Sequence, residues 1–358
     1  MPALQLLSTE LENSGWENEI LLNKIQTLMN QGLVMASRGA PDNRAFSVEE
    51  LAWFAKASYS IASRVFRSTK LDSVMHLLDI SIKASFADGC QHHDVKEQIV
   101  LSEHYLLCDS LKIVKIAIEA RKKISVDEKR KHYSAIHRIS AHFRELFKGQ
   151  TVEHSTNAQY EKWLSQHRTI LALDLEASIF LNNWTGVCTI IEEASLFLDE
   201  KLSSVFLDGI LRSGGHVKSK VQAVKILLRT LRASPSPYLN KTTFTIQAIP
   251  RYIRCLFQLS LDAAEYQLAE SILDQSLILV QERPAKAGDY DNLSLPGLPE
   301  DEIRWLSAVA FNRAVDYYLA AADADCRRWA GKAISLANMA QDDGALGRLL
   351  RGKLEMLT

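Results

Sequence analysis

No proline interrupts the chain between Pro41 and Pro235. Proline costs about 3 kcal/mol inside a helix, because it lacks an N–H donor and its ring clashes with the preceding turn. A proline-free span of that length suits continuous helices. Between the turn residues, apolar positions recur at helical spacing rather than alternating. The pattern predicts helices at roughly 17–31, 47–67, 71–86, 93–120, 126–148, 157–181, 185–198, 201–212, 217–233, 241–259, 263–281, 301–320, 324–340 and 344–356. The best strand candidate, Thr242 to Ile246, is short. Residues 283–299 hold three prolines and two glycines and read as a loop. The expected organisation is a helical-repeat array over 1–283, a Pro/Gly-rich loop over 284–299 and C-terminal helical repeats over 300–358.

Composition narrows the function classes. The 358 residues carry a net charge of -1, which argues against the whole chain being a nucleic-acid or polybasic membrane binder. Five cysteines are widely scattered and read as small core residues in a reducing compartment. No basic leader opens the sequence, and no apolar run reaches the ~18 residues that cross a bilayer.

Glu302 to Leu346 is the densest stretch of pattern. Ile303, Leu306, Ala310, Ala314 and Tyr317 make one apolar stripe. Asp323 and Asp325 open a second run, where an acidic residue caps orphan N–H groups or favours the dipole. Cys326, Ala330, Ala333 and Ala337 then form a small-residue seam, with Trp329 expected to be buried beside it. Asp342-Asp343-Gly344 ends the pair. The i, i+4, i+7 pattern of the seam recurs at Val74/Leu78/Ser81, Val187/Ile191/Ala194, Ala223/Leu227/Thr230 and Ala269/Leu273/Ser276. Glu50-Leu51-Ala52-Trp53 aligns with Glu302-Ile303-Arg304-Trp305. Tyr59, Ala62, Phe66 and Ile82 then align without gaps to Phe311, Ala314, Tyr318 and Ile334. Such two-helix units resemble the tetratricopeptide repeat, which implies an all-α, right-handed α-solenoid.

No catalytic centre emerges, and neither a cofactor nor a metal is expected. Cys90, His92, His93 and His104 lack the spacing of a zinc site. His132, His137 and His142 stand five apart and do not share a tight face. From Arg121 to Lys148, nine Lys and Arg face three Asp and Glu. Within that span Arg121, Lys122, Lys123, Lys129, Arg130 and Lys131 form a candidate basic patch for phosphates or an acidic partner, unless it is simply a solvated helix face. Trp305, Asn312 and Asp316 fall within about 20° of one another on a helix. With Phe311 they are the candidate partner-binding residues. Asn312 offers a donor and an acceptor to a partner's backbone, and the aromatics supply apolar area. The competing assignment packs Trp305 on the preceding loop and has Asn312 cap or bridge within the array.

At these residues the sequence resembles the sporulation-specific protein 22, or zipper-four, family of meiotic tetratricopeptide scaffolds. The words that carry the resemblance are Glu302-Ile-Arg-Trp-Leu, Ala310-Phe-Asn-Arg-Ala-Val-Asp316, Cys326-Arg-Arg-Trp-Ala and Gly331-Lys-Ala-Ile-Ser-Leu-Ala337. Leu22-Asn-Lys-Ile-Gln-Thr-Leu-Met-Asn30 and Glu49-Glu-Leu-Ala-Trp-Phe54 add a looser match. The resemblance implies a non-enzymatic scaffold on meiotic chromosomes in the nucleus. It would couple crossover formation to synaptonemal-complex assembly through central-element and crossover proteins. It also makes Phe311-Asn312 the aromatic–asparagine pair that contacts central-element components. Family members are far longer, so the chain is expected to be a shortened member or a C-terminal portion.

Overall fold

The computed structural model describes residues 2–37, 48–68, 70–86, 95–148, 157–233, 248–281 and 298–357. Among them every regular element is helical: 15 α-helices and one 3-10 turn. The all-α expectation therefore holds. The chain divides into two compact units, residues 1–181 and 182–358. The strand candidate at 242–246 and most of the 284–299 loop lie outside the described residues.

The first unit contains α1 (Pro2–Ser14), α2 (Glu19–Ser37), α3 (Val48–Val65), α4 (Leu71–Phe86), α5 (Val95–Lys122), α6 (Val126–Lys148) and α7 (Asn157–Phe180). The sequence pattern gives no helix before residue 17, yet α1 forms and buries Leu4 and Leu11, seven residues apart on one face. One apolar cluster gathers Leu22, Ile25, Met29, Ala62, Val65, Leu77 and Leu78 from α2, α3 and α4. A second gathers Ile113, Ile136, Phe143 and Trp163 from α5, α6 and α7.

Charged groups cross between the helices of this unit. His137 Nδ1 donates to Asp174 Oδ1 at 2.7 Å, and Arg144 Nη1 reaches Asp174 Oδ2 at 2.8 Å. Asp174 is fully buried, so the two α6 donors offset a desolvation cost of several kcal/mol. His142 Nδ1 donates to buried Asp109 of α5 at 2.7 Å. Burial pushes the Asp109 carboxyl above its usual range, against the opposing effect of the His142 hydrogen bond. Lys112 donates to Asp79, and Lys115 donates to the Phe66 carbonyl at 2.8 Å.

The second unit contains α8 (Trp184–Glu193), α9 (Glu200–Arg212), α10 (Val217–Ala233), α11 (Ile249–Asp262), α12 (Tyr266–Gln281), α13 (Glu300–Leu319), α14 (Asp323–Ala337) and α15 (Ala345–Leu357). The helix expected at 185–198 stops at Glu193 and tightens into a 3-10 turn, Ala194–Leu196. Asp199 then caps α9, accepting from the Leu202 N–H at 2.7 Å. Pro250, expected inside a helix, lies in the first turn of α11, where its missing N–H breaks no helical bond.

Two helix pairs repeat one design. At the end of α11 the Glu265 N–H bonds to the Ser260 carbonyl at 2.8 Å, and the Ala264 N–H to the Leu261 carbonyl at 3.0 Å. At the end of α13 the Ala322 N–H bonds to the Tyr317 carbonyl at 2.9 Å, and the Ala321 N–H to the Tyr318 carbonyl at 2.9 Å. Both are Schellman closures, which satisfy carbonyls that the helix leaves orphaned. Each turn puts an alanine in the left-handed region, Ala264 at φ 57° and Ala321 at φ 56°. The expected helix start at 263 is therefore three residues early. In the following helices Ala269, Ile272, Leu273 and Ser276 are buried where Cys326, Trp329, Ala330 and Ala333 are buried. Trp329 is fully enclosed, as expected. The N-cap of α14 is Ala322 and makes no side-chain cap, so Asp323 and Asp325 act on the dipole of the first turn rather than as caps, and Asp325 also pairs with Arg328 at 2.7 Å. At Asp342-Asp343-Gly344 the capping role holds: Asp342 Oδ2 accepts from the Leu346 N–H at 3.1 Å, and Gly344 takes φ 76°.

Two measurements test these packing assignments. Ala321→Gly removes the left-handed alanine cost, ~1–2 kcal/mol, and adds back ~0.4–1 kcal/mol of unfolded-state entropy. Thermal or urea unfolding is expected to show a net gain of about 0.5–1 kcal/mol; a loss would place the turn in another conformation. His167 is buried against Phe147, their ring centroids 4.1 Å apart, and burial, with Arg144 and Arg168 nearby, lowers its pKa to about 3. A histidine held neutral contributes its stability above its unfolded pKa of about 6.5 and loses it as pH falls toward 3. Stability is expected to drop by ~2 kcal/mol from this group between pH 7 and pH 5, and His167→Phe removes that part of the slope.

Candidate partner-binding surfaces

Pro299 leads into α13, and Glu300, Asp301 and Glu302 occupy its first turn, where negative charge meets the positive end of the helix dipole. The helix buries Ile303, Leu306, Ser307, Ala310, Phe311 and Ala314. The buried Ser307 hydroxyl donates to the Ile303 carbonyl at 2.8 Å, so its polarity is satisfied within the helix. The first-unit echo buries five of the six equivalent positions, Leu51, Phe54, Ala55, Ser58 and Ala62, while Tyr59, the counterpart of Phe311, is half-buried.

Phe311 corrects the sequence expectation. It was expected at least partly exposed, and it is 4% exposed. The reason is geometric: it lies four residues after Ser307 and three before Ala314, inside the buried stripe. Its neighbour Asn312 is exposed, and its amide makes no hydrogen bond to any described residue. Asp316 is also exposed and pairs with Arg313 at 3.1 Å.

Trp305 is half-buried and engaged within the unit. The Arg254 guanidinium of α11 lies 4.3 Å from the centre of its ring, and the edge of Phe257 meets it at 6.1 Å. It therefore packs on α11, the first helix of the preceding pair; most of the preceding loop lies outside the described residues. Arg313, the residue after Asn312, sits 4.0 Å from the Tyr266 ring and 4.6 Å from the Tyr317 ring. Cation–π contacts of this kind contribute about 0.5–2 kcal/mol each. Tyr317 in turn lies against Trp329, with ring centroids 6.0 Å apart. The aromatic residues of this region thus join α11, α12, α13 and α14, and the exposed residues on the side of Asn312 are Ala308, Asp316 and, two turns on, Leu319. Arg313 and Tyr317 stand four apart on one helix, but nothing in the sequence marks Arg254 as the partner of Trp305 or Arg313 as the partner of Tyr266, because those contacts join residues far apart in the chain.

On the back of the pair, Arg328 Nε donates to Glu270 at 2.8 Å and Lys332 Nζ reaches Asp274 at 2.5 Å. Burial works to raise the Glu270 pKa, but the hydrogen bonds from Arg328 and Lys332 outweigh it and hold the carboxyl below the usual range.

In the first unit the candidate basic patch separates into two groups. Arg121 makes a double contact to Glu176, Nε–Oε1 at 3.1 Å and Nη2–Oε2 at 2.5 Å, and Lys122 pairs with Glu119 at 3.1 Å. Lys123 and Lys129 are half-buried, while Arg130 and Lys131 are exposed on α6. Of the α6 histidines, His132 faces its own helix backbone, His137 faces α7 and His142 faces α5, so they do not converge.

His104 belongs to a different cluster from the one its sequence neighbours suggest; Cys90, His92 and His93 lie outside the described residues. His104 Nε2 lies 2.7 Å from Ser81 Oγ and 3.8 Å from Cys108 Sγ. Burial pushes the Cys108 thiol up to about 12 and lowers the His104 pKa. Near neutral pH the thiol is protonated and sealed, so it is a core residue rather than an activated nucleophile. Among the described residues no group of three His, Cys, Asp or Glu is placed to hold a metal ion. None of the described helices is long and apolar enough to cross a membrane.

The chain matches no family model, no curated protein and no solved structure.

The two neighbours on α13 are expected to behave oppositely on substitution. Phe311→Ala should cost about 3–5 kcal/mol in urea unfolding, as loss of a core aromatic does, whereas Asn312→Ala should stay within about 0.5 kcal/mol of the parent. Comparable losses for both would contradict the burial assignment.

Proposed function

We propose that the chain is a non-enzymatic interaction scaffold, built of tetratricopeptide-like helix pairs stacked as a right-handed α-solenoid, that docks a protein partner on the outer face of α13. The repeated Schellman turn and the matched burial of α11–α12 and α13–α14 support the stacking. The observation that carries the docking surface is Asn312: an exposed amide on a well-packed helix, with no internal partner and with Asp316 one turn away. An amide so placed supplies one donor group and one acceptor to a partner's backbone. Phe311 supports this surface from beneath rather than touching the partner.

The resemblance of residues 300–345 to the zipper-four family makes the setting meiotic. In this reading the partners are synaptonemal-complex central-element and crossover proteins, on chromosomes in the nucleus. A direct nucleic-acid role for the 121–148 region is the weaker reading, because Arg121, Lys122 and Arg144 are engaged in internal ion pairs.

Affinity purification from meiotic cells tests the proposal, with the chain compared against Asn312→Asp. The variant keeps the fold and places a charge where the amide offered a donor. Parent chain is expected to retain central-element proteins, and the variant to lose them at unchanged helicity. Equal retention by both chains removes Asn312 from the interface. Absence of meiotic chromosome proteins from both removes the meiotic setting.

A further inference from the structure

The outer face of α6 presents a row of residues at four-residue spacing: Val126, Arg130, Ser134 and Arg138, all exposed. Lys131 lies seven residues before Arg138, on the same side of the helix. Asp127, Arg130, Lys131, Ser134, Ala135 and Arg138 line a shallow surface groove. Arg130, Lys131 and Arg138 make no ion pair with any described residue. That separates them from Arg121, Lys122 and Arg144, which do. At the N-terminal end of the row two apolar side chains stand in solvent, Ile124 at 96% and Val126 at 60% exposure.

We propose that this face docks an acidic peptide segment that carries an apolar anchor near one end. The site is separate from the α13 surface and does not depend on it. Arg130 and Arg138 are eight residues apart, about 12 Å along the helix axis. Carboxylates eight residues apart on a helix, or four apart on an extended strand, have a matching separation. Ser134 between them accepts or donates a hydrogen bond to the partner's main chain. Ile124 and Val126 receive the apolar residue.

Three features favour a peptide over nucleic acid. Three cations are few beside the six to ten phosphate contacts that typically hold a nonspecific nucleic-acid binder. The row offers no exposed aromatic ring for a base to stack on; Tyr133, on the same helix, is buried. A phosphate backbone leaves the exposed Ile124 and Val126 without a counterpart.

Fluorescence anisotropy on the full chain tests the assignment. The probe is a labelled synthetic peptide with glutamate at every fourth position and a single leucine near one end. A lysine-for-glutamate peptide and labelled duplex and single-stranded DNA serve as the other arms. The acidic peptide is expected to bind, more weakly as salt rises. The double variant Arg130→Glu/Arg138→Glu should lose about tenfold or more in affinity, while Lys353→Glu on α15 changes nothing. Val126→Ser should weaken binding a few-fold with an unchanged salt slope, because it removes the anchor and not the charge. All substituted residues are exposed, and circular dichroism checks that the fold is retained. Equal affinity of the charge-reversed variant, absence of binding by the acidic peptide, or preference of the same face for DNA each overturns the proposal.

Discussion

A three-residue turn folds a helix back against the helix that precedes it. That constraint governs the second unit. Residues 263–265 and 320–322 close α11 onto α12 and α13 onto α14, so each helix must carry one stripe that fits its neighbour. On α14 the fit comes from Cys326, Ala330, Ala333 and Ala337, whose small side chains let the two axes approach, with Trp329 filling the space beside them. Once α13 faces that seam, the rotation of every residue on it is fixed. Phe311 goes inward and Asn312 goes outward because they are 100° apart on one helix. The candidate surface therefore follows from the turn, two helical turns of packing away.

The first unit solves a harder problem by different means. Its helices α5, α6 and α7 bury carboxylates as well as apolar groups. Asp174 and Asp109 remain in the interior because His137, Arg144 and His142 reach them from α6. Such pairs contribute little net stability, since desolvation takes back most of the attraction. They do penalise mispairing, because a slipped helix would leave a buried charge alone. The basic side chains of α6 are thus divided by rotation: Arg144, His137 and His142 engage carboxylates on α5 and α7, while Arg130, Lys131 and Arg138 face outward without ion-pair partners among the described residues.

The helices were largely legible in the sequence because their signal is local. Proline placement and apolar spacing act within a few residues, and they located most of the helical segments to within a few positions; α2 runs six residues past its expected end, α8 ends five residues early, and the expected start at 241 lies outside the described residues. The failures came where short-range rules compete. The first helix was missed because its stripe is thin, with two deeply buried leucines. The α12 start was set early because an alanine, not a glycine, holds the left-handed position in the preceding turn. Phe311 was misjudged although its place in the stripe was readable from Ser307 and Ala314. The aromatic–asparagine resemblance drew attention to the pair as a unit, and a helix separates such neighbours. The contacts of Trp305, Arg254, Arg313 and Tyr266 were not readable at all. They depend on which helices meet, and no local pattern encodes that.

Those contacts change what kind of interface α13 can offer. Binding energy at protein interfaces concentrates in buried aromatic and arginine anchors. Here Trp305, Tyr317, Arg254 and Arg313 already hold one another across the helix pairs. What α13 leaves open on the side of Asn312 is Ala308, Asp316 and, two turns on, Leu319, with no unengaged aromatic ring or arginine among them, and one amide contributes only about 0.5–1.5 kcal/mol in a net hydrogen bond. A surface without an anchor must gain affinity through area, by repeating modest contacts over several elements. Stacked helix pairs present area of that kind along successive outer helices. On the scaffold function proposed above, the rings that hold the helix pairs together make a single pair a weak binder, and an extended partner lying along several pairs is the arrangement that the chemistry of α13 favours.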